Sequence, residues 1–406
     1  MIKNHIVYNP SADYRIKFAR AEDSYIYDDA GKRYIDFTSG WNVTNLGWNH
    51  PEIAEAVVEQ ARKNVYVPFW GADSVQEEYA EKLTAALPKE LNACIKTTSG
   101  TEAVEVAIKI ARAASGRKKI IGFKNSYHGQ LFASMSLCMP ANLTQAMAPL
   151  VPEFVQIDFP RNTGDEQVLQ HFRGELDALL SKKDVAAIVC EPGIITGRGS
   201  VYVAPPGFLS AIRELTIKYG TLLIVDEVGT GFSRTGKLFG IEQESVVPDM
   251  ICFAKAIANG AAAIGAVVGK SDVIESANPL ANLTATFGWT SIACAASIKA
   301  LEIHQREQIW EQSQSKGRYM MDCLKSRLSG NPEVVDIRGI GMEIGVEIKH
   351  SIAFYHKVST TAAKNGLHLV GDPMMSLIQI MPPLTISERD IDEGVEILAN
   401  AIAPKK

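Results

Sequence analysis

The sequence predicts an α/β protein built on a mostly parallel, doubly wound sheet. Through the middle of the chain, short apolar segments of strand length alternate with longer amphipathic segments of helical period. This alternation is typical of parallel sheets, because each helix returns the chain across one face of the sheet before the next strand begins. The chain has 406 residues, which allows two to three domains at about 150 residues each.

The predicted strands are short, apolar and mostly bounded by glycine, proline or charged residues, as expected for strands that are buried on both faces. They are residues 119–123, 185–190, 222–226, 250–253 and 264–268. Three other segments place their apolar residues on one face of a helix. They are residues 101–114, 207–219 and 292–305.

The two ends of the chain differ from the middle and predict a second, smaller unit. After residue 306 a long polar helix is followed by strand-like residues 334–348 and then by helix, strand and helix. Near the N-terminus, strand-like residues 24–27 and 34–37 are joined by a turn. We therefore predict an N-terminal segment that packs with the small domain, a large domain, and a C-terminal small α+β domain. They span residues 1–50, 51–306 and 307–406.

The composition argues against several classes of protein. Lysine and arginine number 41 against 46 aspartates and glutamates, and this net charge of −5 argues against a nucleic-acid partner. The six cysteines are widely separated, which argues against a zinc cluster, and we predict no metal site. No apolar segment reaches the roughly 18 to 20 residues that span a bilayer. The N-terminus also lacks the apolar region of a secretory signal, so we expect a cytoplasmic protein with no membrane partner.

Three short motifs are candidates for chemistry. Ser99 and Glu102 are spaced as in a helix capping box, and Gly100 between them would let an anion such as phosphate approach the helix N-terminus. Asp226 ends a predicted buried strand, where α/β sheets bind ligands. Lys255 lies among small and apolar residues, where desolvation would make its amine a nucleophile. Each motif also has an ordinary structural interpretation: a plain helix start, a capped strand end, or a lysine extended to the surface.

The order and spacing of these motifs together resemble the class III aminotransferases, which are pyridoxal 5′-phosphate (PLP) enzymes of fold type I. That family includes the ornithine, acetylornithine, 4-aminobutyrate and other ω-amino-group transaminases. The resemblance covers nearly the whole chain. It rests on residues 36–40, 46–51, 99–103, 127–129, 191–192, 226–228, 231–236, 286–288 and 382–384, and on Lys255.

The resemblance implies roles for residues around the cofactor ring. Lys255 would form the Schiff base with PLP and then carry the substrate proton as general base. Asp226 would pair with the pyridine nitrogen and keep it protonated, so that the ring acts as an electron sink. Val228 would pack on one face of the ring and Tyr127 on the other. Glu191 resembles the glutamate that lies near the cofactor in the family.

The resemblance also implies a homodimer whose active sites are shared across the interface. Gly100 and Thr101 would hold the cofactor phosphate at a helix N-terminus. Thr286 resembles the threonine that reaches the phosphate in the neighbouring subunit. The small-molecule partners would be an amino donor and an oxo acid that react by a ping-pong mechanism.

The sequence departs from the family pattern where substrate carboxylates are bound. Gln379 stands where an arginine typically precedes the proline pair, and Thr196 stands where the glutamate partner of that arginine is usual. Gln130 replaces a third arginine, and Gly229 replaces a polar residue. Because a bidentate arginine is the usual anchor for a carboxylate, we expect a pyruvate-like acceptor to be favoured over 2-oxoglutarate. Arg198 is either a substitute anchor or an ordinary loop arginine.

Other interpretations remain open at the level of sequence. Trp41, Phe69 and Trp70 predict an aromatic substrate pocket, although aromatic core packing explains them equally well. The same fold also hosts 2,1-aminomutases and amino-acid racemases, which need no second oxo acid and would fit the missing arginines. A decarboxylating transaminase and a cofactor-free binding module are weaker alternatives, and the presence of Lys255 and Asp226 argues against the binding module.

Overall fold

The protein is described here by a computed structural model that covers residues 2–3, 5–7, 16–139, 144–197, 200–349 and 351–402. In chain order the strands are β1 (Ile2–Lys3), β2 (Ile6–Val7), β3 (Phe18–Glu22), β4 (Tyr25–Asp28), β5 (Arg33–Asp36), β6 (Ala93–Thr97), β7 (Lys119–Phe123), β8 (Phe154–Ile157), β9 (Val185–Cys190), β10 (Ile194–Ile195), β11 (Tyr202–Val203), β12 (Leu222–Asp226), β13 (Met250–Phe253), β14 (Gly265–Gly269), β15 (Val334–Ile340), β16 (Glu343–Ile348), β17 (Leu367–His368), β18 (Val370–Asp372) and β19 (Leu377–Ile380). The helices are α1 (Ser39–Asn42), α2 (Pro51–Ala61), α3 (Ser74–Ala85), α4 (Gly100–Ser115), α5 (Phe132–Cys138), α6 (Gln167–Leu180), α7 (Phe208–Tyr219), α8 (Ser271–Ala277), α9 (Ser291–Arg306), α10 (Ile309–Leu328), α11 (Ile352–Lys364) and α12 (Glu388–Ile402).

A seven-stranded sheet forms the centre of the molecule, in the order β6–β14–β13–β12–β9–β7–β8. The strands from β13 to β8 are parallel, and β14 runs antiparallel to both of its neighbours. The predicted fold class is therefore confirmed. Four predicted strands have the predicted bounds, and the strand expected at 264–268 is displaced by one residue.

The sheet is covered on both faces, which accounts for its near-continuous apolar strands. Along β12, Ile224 packs into one core cluster while Leu223 and Val225 pack into the other. Helix α4 covers the face that holds Ile224, with its own buried residues Ala103, Val104, Ala107, Ile108, Ile110 and Ala111. This alternation fixes the sheet between two layers and leaves its strand ends free to form a site.

Two smaller four-stranded sheets lie in the remainder of the described chain. One has the order β15–β16–β19–β18 and is antiparallel, so the strand-like region predicted at 334–348 is a hairpin of two strands. The other has the order β17–β5–β4–β3, in which β17 pairs in parallel with β5. Strands near the N-terminus thus share a sheet with a strand from the C-terminal part, although the proposed domain boundaries themselves stay a prediction.

None of the helices within the described ranges is both long enough and apolar enough to cross a membrane.

Candidate active site

A cavity of about 460 Å³ opens at the carboxyl edge of the central sheet. The loops that follow β6, β7, β9, β12 and β13 all contribute to its wall. In α/β sheets this edge is where ligands bind, because the loops there meet at one place while the strands hold them rigidly.

Most of the cofactor residues predicted from the sequence lie together in the wall of this cavity. They are Gly100, Thr101, Tyr127, Glu191, Asp226, Val228 and Lys255. Thr286 and the three aromatic residues predicted for the substrate pocket do not line it within a single chain. Phe69 and Trp70 are instead 47% and 77% exposed and contact one another edge to face. Arg198 lies outside the described residues.

Lys255 begins a one-turn 3-10 helix, Lys255–Ala258, directly after β13. Its backbone has a φ of 52°, a left-handed conformation that costs an ordinary residue about 1 kcal/mol or more. Burial lowers the pKa of Lys255, and the positive charge of Arg234 acts in the same direction. The neutral amine, which is the nucleophilic form, is therefore favoured more than in water.

Asp226 ends β12, and both oxygens of its buried carboxylate are hydrogen-bonded. Oδ1 accepts the amide of Val228 at 2.9 Å, and Oδ2 lies 2.7 Å from Nδ1 of His128. Burial disfavours the charged imidazole, but the hydrogen bond and charge of Asp226 outweigh this effect and raise the pKa of His128. The Asp226 carboxylate is thus held in place at the cavity wall by the Val228 amide and the His128 imidazole.

His128 was not among the site residues predicted from the sequence, although it lies within the 127–129 motif. It is buried, lines the cavity, and has no hydrogen-bond partner for Nε2 among the described residues. Only the folded chain brings it to Asp226, because 98 residues separate the two.

The N-terminus of α4 forms a cradle for an anion. Ser99 caps the helix by accepting the amide of Glu102 at 3.2 Å, and the first intrahelical bond runs from the amide of Ala103 to the carbonyl of Ser99. The amides of Gly100 and Thr101 precede that bond and are available to a ligand. In a capping box, the Glu102 side chain would accept the amide of Ser99. Here it accepts the amide of Thr98 instead, one residue before the N-cap.

Two glycines keep this cradle open. A Cβ atom on Gly100 would lie 2.8 Å from the Val228 side chain. A Cβ atom on Gly129, whose φ is +134°, would lie 2.6 Å from the hydroxyl of Thr101. Neither position therefore accepts a larger residue without displacing the wall of the cavity.

Glu191 places a buried carboxylate in the cavity wall. Its Oε1 accepts both the amide and the hydroxyl of Thr196, at 2.7 and 2.6 Å, while Oε2 has no partner among the described residues. Burial raises the pKa of Glu191 to about 7. The Thr196 hydroxyl lies where a side chain at position 229 would need to be, since a Cβ on Gly229 would approach it to 2.2 Å.

Gln379 and Thr196, two of the positions at which the sequence departs from the family pattern, are in direct contact. Nε2 of Gln379 donates to the carbonyl of Thr196 at 2.8 Å and also to Glu343. Glu343 is fully buried, and burial raises its pKa. The sequence analysis did not identify Glu343, because it lies in strand β16 outside any motif, where a single glutamate does not indicate a functional site.

A second buried cation, Arg234, is occupied by structural contacts. Its guanidinium donates to the carbonyls of Met342 and Pro382, to the Ser39 hydroxyl and to the Asn45 side chain. Burial lowers the pKa of Arg234 to about 10. These bonds connect three distant parts of the chain, and we therefore assign Arg234 a structural role.

The sequence pattern described as Aminotransferase class-III matches residues 7–402 of this chain. The chain belongs to the class III aminotransferases. An acetylornithine aminotransferase of Bacillus cereus is 32% identical over 390 residues, which is 96% of this chain and 95% of that protein. The chain is accordingly an enzyme that transfers amino groups.

Solved structures of two transaminases have the same fold. An amine transaminase from an uncultivated Pseudomonas species, determined in its PLP-bound form, superimposes with a TM-score of 0.92 at 26% identity, covering 99% of each chain. An (S)-enantioselective ω-transaminase from Thermomicrobium roseum gives a TM-score of 0.89 at 31% identity, covering 96% of this chain and 92% of that one. The fold prediction of a fold type I transferase is confirmed.

Class III aminotransferases depend on PLP, and the cavity of this class III aminotransferase fits that cofactor. A lysine amine is present for its aldehyde, the Asp226 carboxylate for its ring nitrogen, and the N-terminus of α4 for its phosphate. Two buried polar atoms in the wall, Glu191 Oε2 and His128 Nε2, also lack partners among the described residues, as expected where a polar ligand completes the wall.

Proposed function

We propose that this aminotransferase moves the amino group of a primary amine or amino acid to a small 2-oxo acid such as pyruvate, in two half-reactions of a ping-pong cycle. One observation supports pyruvate as the oxo acid: none of the described residues that line the cavity is an arginine. A bidentate arginine is the usual anchor for the second carboxylate of 2-oxoglutarate. Gln379 and Thr196 form an uncharged contact where that anchor is expected.

Within this proposal, Lys255 and Asp226 do the chemical work of the chain. Bound PLP would supply an aldehyde that takes up amino groups and a ring that accepts electrons. Lys255 would bind it and, once displaced by substrate, would take the proton from the substrate carbon and return it, which its lowered pKa favours. Asp226 would hold a proton on the ring nitrogen, since its own carboxylate is kept in place by His128 and the Val228 amide.

Other residues would orient the cofactor. The amides of Gly100 and Thr101 would bind the phosphate, aided by the positive end of the α4 dipole. Val228 and Tyr127, which both line the cavity, would enclose the two faces of the ring. Glu191, which lines the cavity, would lie beside the cofactor at the polar edge.

We also propose a homodimer with shared active sites. Several large apolar side chains are exposed on the single chain, and some of them contact one another, as at a surface that a partner covers. They include Tyr66, Phe69, Trp70, Leu131, Phe132 and Phe287. Phe287 is 63% exposed, packs against Tyr66, and follows the exposed Thr286. A second copy that covers this surface would bring Thr286 toward the phosphate of its partner.

A donor and acceptor screen read by cofactor absorbance tests the proposal. The purified, PLP-loaded enzyme is first converted to its amino form with a donor, and pyruvate or 2-oxoglutarate is then used to convert it back. We expect kcat/KM for pyruvate to exceed that for 2-oxoglutarate by about tenfold or more, since one bidentate contact is absent. A preference for 2-oxoglutarate would contradict the choice of acceptor. Product formation without any oxo acid would instead favour an aminomutase or a racemase.

A further inference from the structure

Five buried side chains form one hydrogen-bonded series, here called the acceptor chain: Asn42, Glu343, Gln379, Thr196 and Glu191. Asn42 Nδ2 donates to Oε2 of Glu343 at 2.8 Å, and Gln379 Nε2 donates to the other oxygen of the same carboxylate. Gln379 also bonds the carbonyl of Thr196, whose hydroxyl donates to Glu191. Every member is at most 4% exposed, and the series reaches the cavity at Glu191 and Thr196.

The acceptor chain contains more acceptors than donors. Asn42 Oδ1, Gln379 Oε1 and Glu191 Oε2 are buried and have no hydrogen-bond partner among the described residues. The two amides are assigned with their NH₂ groups toward Glu343, whose carboxylate oxygens accept from both. A buried acceptor left without a donor costs about 1–3 kcal/mol. A ligand that brings donors would remove that cost.

The charges around the cavity favour a cationic ligand. The carboxylates of Asp226, Glu191 and Glu343 all act on Lys255. Arg234 opposes them there, but its guanidinium is held by carbonyl, hydroxyl and amide oxygens of the fold, and the imidazole of His128 is paired with Asp226. A substrate carboxylate placed beside Glu191 would face a second carboxyl group and an unpartnered acceptor, whereas an ammonium group would donate to that acceptor.

We propose that the acceptor chain recognises an ammonium group, so that the amino donor of this enzyme is a diamine, with one amine reacting and the other held beside Thr196 and Glu191. This inference rests on the proposed amine-to-oxo-acid transfer and names its donor class. Glu191 Oε2 is the unpartnered acceptor of the chain whose residue lines the cavity, and an ammonium group, which carries three N–H donors and a positive charge, would satisfy it. A neutral alkyl group of the same length would leave that acceptor unpaired.

Titration of the PLP-loaded enzyme with matched amines tests the inference without an oxo acid. The probes are 1,4-diaminobutane with its longer and shorter homologues, the monoamine of each length, and the corresponding ω-amino acid. Changes in cofactor absorbance give a Kd for each amine. We expect the best diamine to bind about tenfold or more tightly than its monoamine, as one charge-assisted hydrogen-bonded contact would give. The ω-amino acid should bind most weakly.

Substitution of Glu343 provides a second test of the diamine assignment. Glu343→Gln keeps the shape of the side chain but removes its charge, and we expect it to reduce the ratio of monoamine Kd to diamine Kd by about tenfold, toward unity. Glu347→Gln is the matched control, because Glu347 lies on the same strand and pairs with Arg338 away from the acceptor chain. The control should keep the wild-type ratio. If Glu343→Gln fails to fold, the comparison of amines on the wild-type enzyme still decides the question.

The outcomes separate this inference from the proposed function. Equal Kd values for diamine and monoamine, or tightest binding of the ω-amino acid, would overturn the diamine assignment while leaving amine transfer intact. If no amine or amino acid changes the absorbance of the bound cofactor, the proposed function itself fails. A diamine preference that Glu343→Gln leaves unchanged would also overturn the role of the acceptor chain.

Discussion

Buried carboxylates are the residues that set the chemistry of this site. Burial raises the pKa of Glu191 and of Glu227 to about 7, yet the two differ in what satisfies them. Both oxygens of Glu227 are bonded, by the Thr230 hydroxyl and the Ile241 amide. Glu191 lines the cavity, and its Oε2 has no hydrogen-bond partner among the described residues. We therefore regard Glu227 as structural and Glu191 as available to ligands.

Replacing Thr196 by valine should change the ionisation of Glu191. The substitution keeps the volume and the backbone amide but removes the hydroxyl that donates to Oε1. Since that bond stabilises the charged form, its loss should raise the pKa of Glu191 above about 7. We expect the acid limb of the pH profile of kcat/KM to move to higher pH in Thr196→Val and to stay in place in Thr196→Ser. Coincident profiles for the two variants would contradict this.

Glu227 should make the folded enzyme less stable as the pH rises. Its pKa rises from 4.5 to about 7 on folding, so between these values the native state holds a proton that the unfolded state has released. That contribution is complete below pH 4.5 and is lost as the pH passes 7. Relative to wild type, Glu227→Gln should gain about 2 kcal/mol in its free energy of unfolding between about pH 5 and about pH 8.

Urea unfolding at the two pH values measures this difference. The exposed Glu175, changed to glutamine, is the control and should show no such gain. If Glu227→Gln parallels wild type at both pH values, the buried carboxylate is not protonated as described.

At the scale of elements, the sequence predicted the central strands well and the edge strands poorly. The four strands with correct bounds lie inside the sheet and are apolar because helices cover both faces. β6 and β8 were missed, and they are the two edges of the sheet. Each carries a long polar residue with its own partner: Lys96 donates to Gln76, and Gln156 donates to the carbonyls of Ser136 and Met139.

The candidate active site likewise contains some residues that the sequence predicted and others that it did not. Gly100, Asp226 and Lys255 line one cavity, as expected from the order and spacing of their motifs taken together, although each motif alone also has an ordinary structural interpretation. Glu343 and the pairing of His128 with Asp226 could not be predicted, because their partners come from distant parts of the chain. Only the fold places them in contact.

The cradle at the N-terminus of α4 should fail if Gly100 gains a side chain. A Cβ there would lie 2.8 Å from Val228 and would displace the cavity wall. We expect Gly100→Ala to raise the Kd for PLP by about tenfold or more, without loss of fold, since alanine suits a helix better than glycine. Titration of the cofactor-free protein with PLP measures this. Gly174→Ala, on open helix surface, is the control, and equal PLP affinity in both variants would count against the cradle.

At the scale of the whole molecule, the proposed dimer can be tested by mixing two defective subunits. Lys255→Ala lacks the cofactor lysine and Thr286→Ala lacks the threonine proposed to serve the neighbouring subunit. In a mixed dimer, one site would combine Lys255 of one chain with Thr286 of the other and be complete. We expect mixed dimers to bind PLP more tightly than Thr286→Ala alone, as measured by equilibrium titration.

The matched control mixes Lys255→Ala with a subunit that carries both substitutions, which can complete no site. Recovery in that control, or a protein that sediments as a monomer, would rule out the shared site. Trp70→Glu provides an independent check, because a charge on this exposed ring should weaken association of the subunits.

The most direct test of the proposed site is to determine which lysine binds PLP. The PLP-loaded protein is reduced with borohydride, digested and analysed by mass spectrometry. We expect the added mass of the reduced cofactor on the peptide that contains Lys255, and no such peptide from Lys255→Arg. Label on a different lysine, or no labelled peptide from the wild-type enzyme, would contradict the assignment of the cavity as the PLP site.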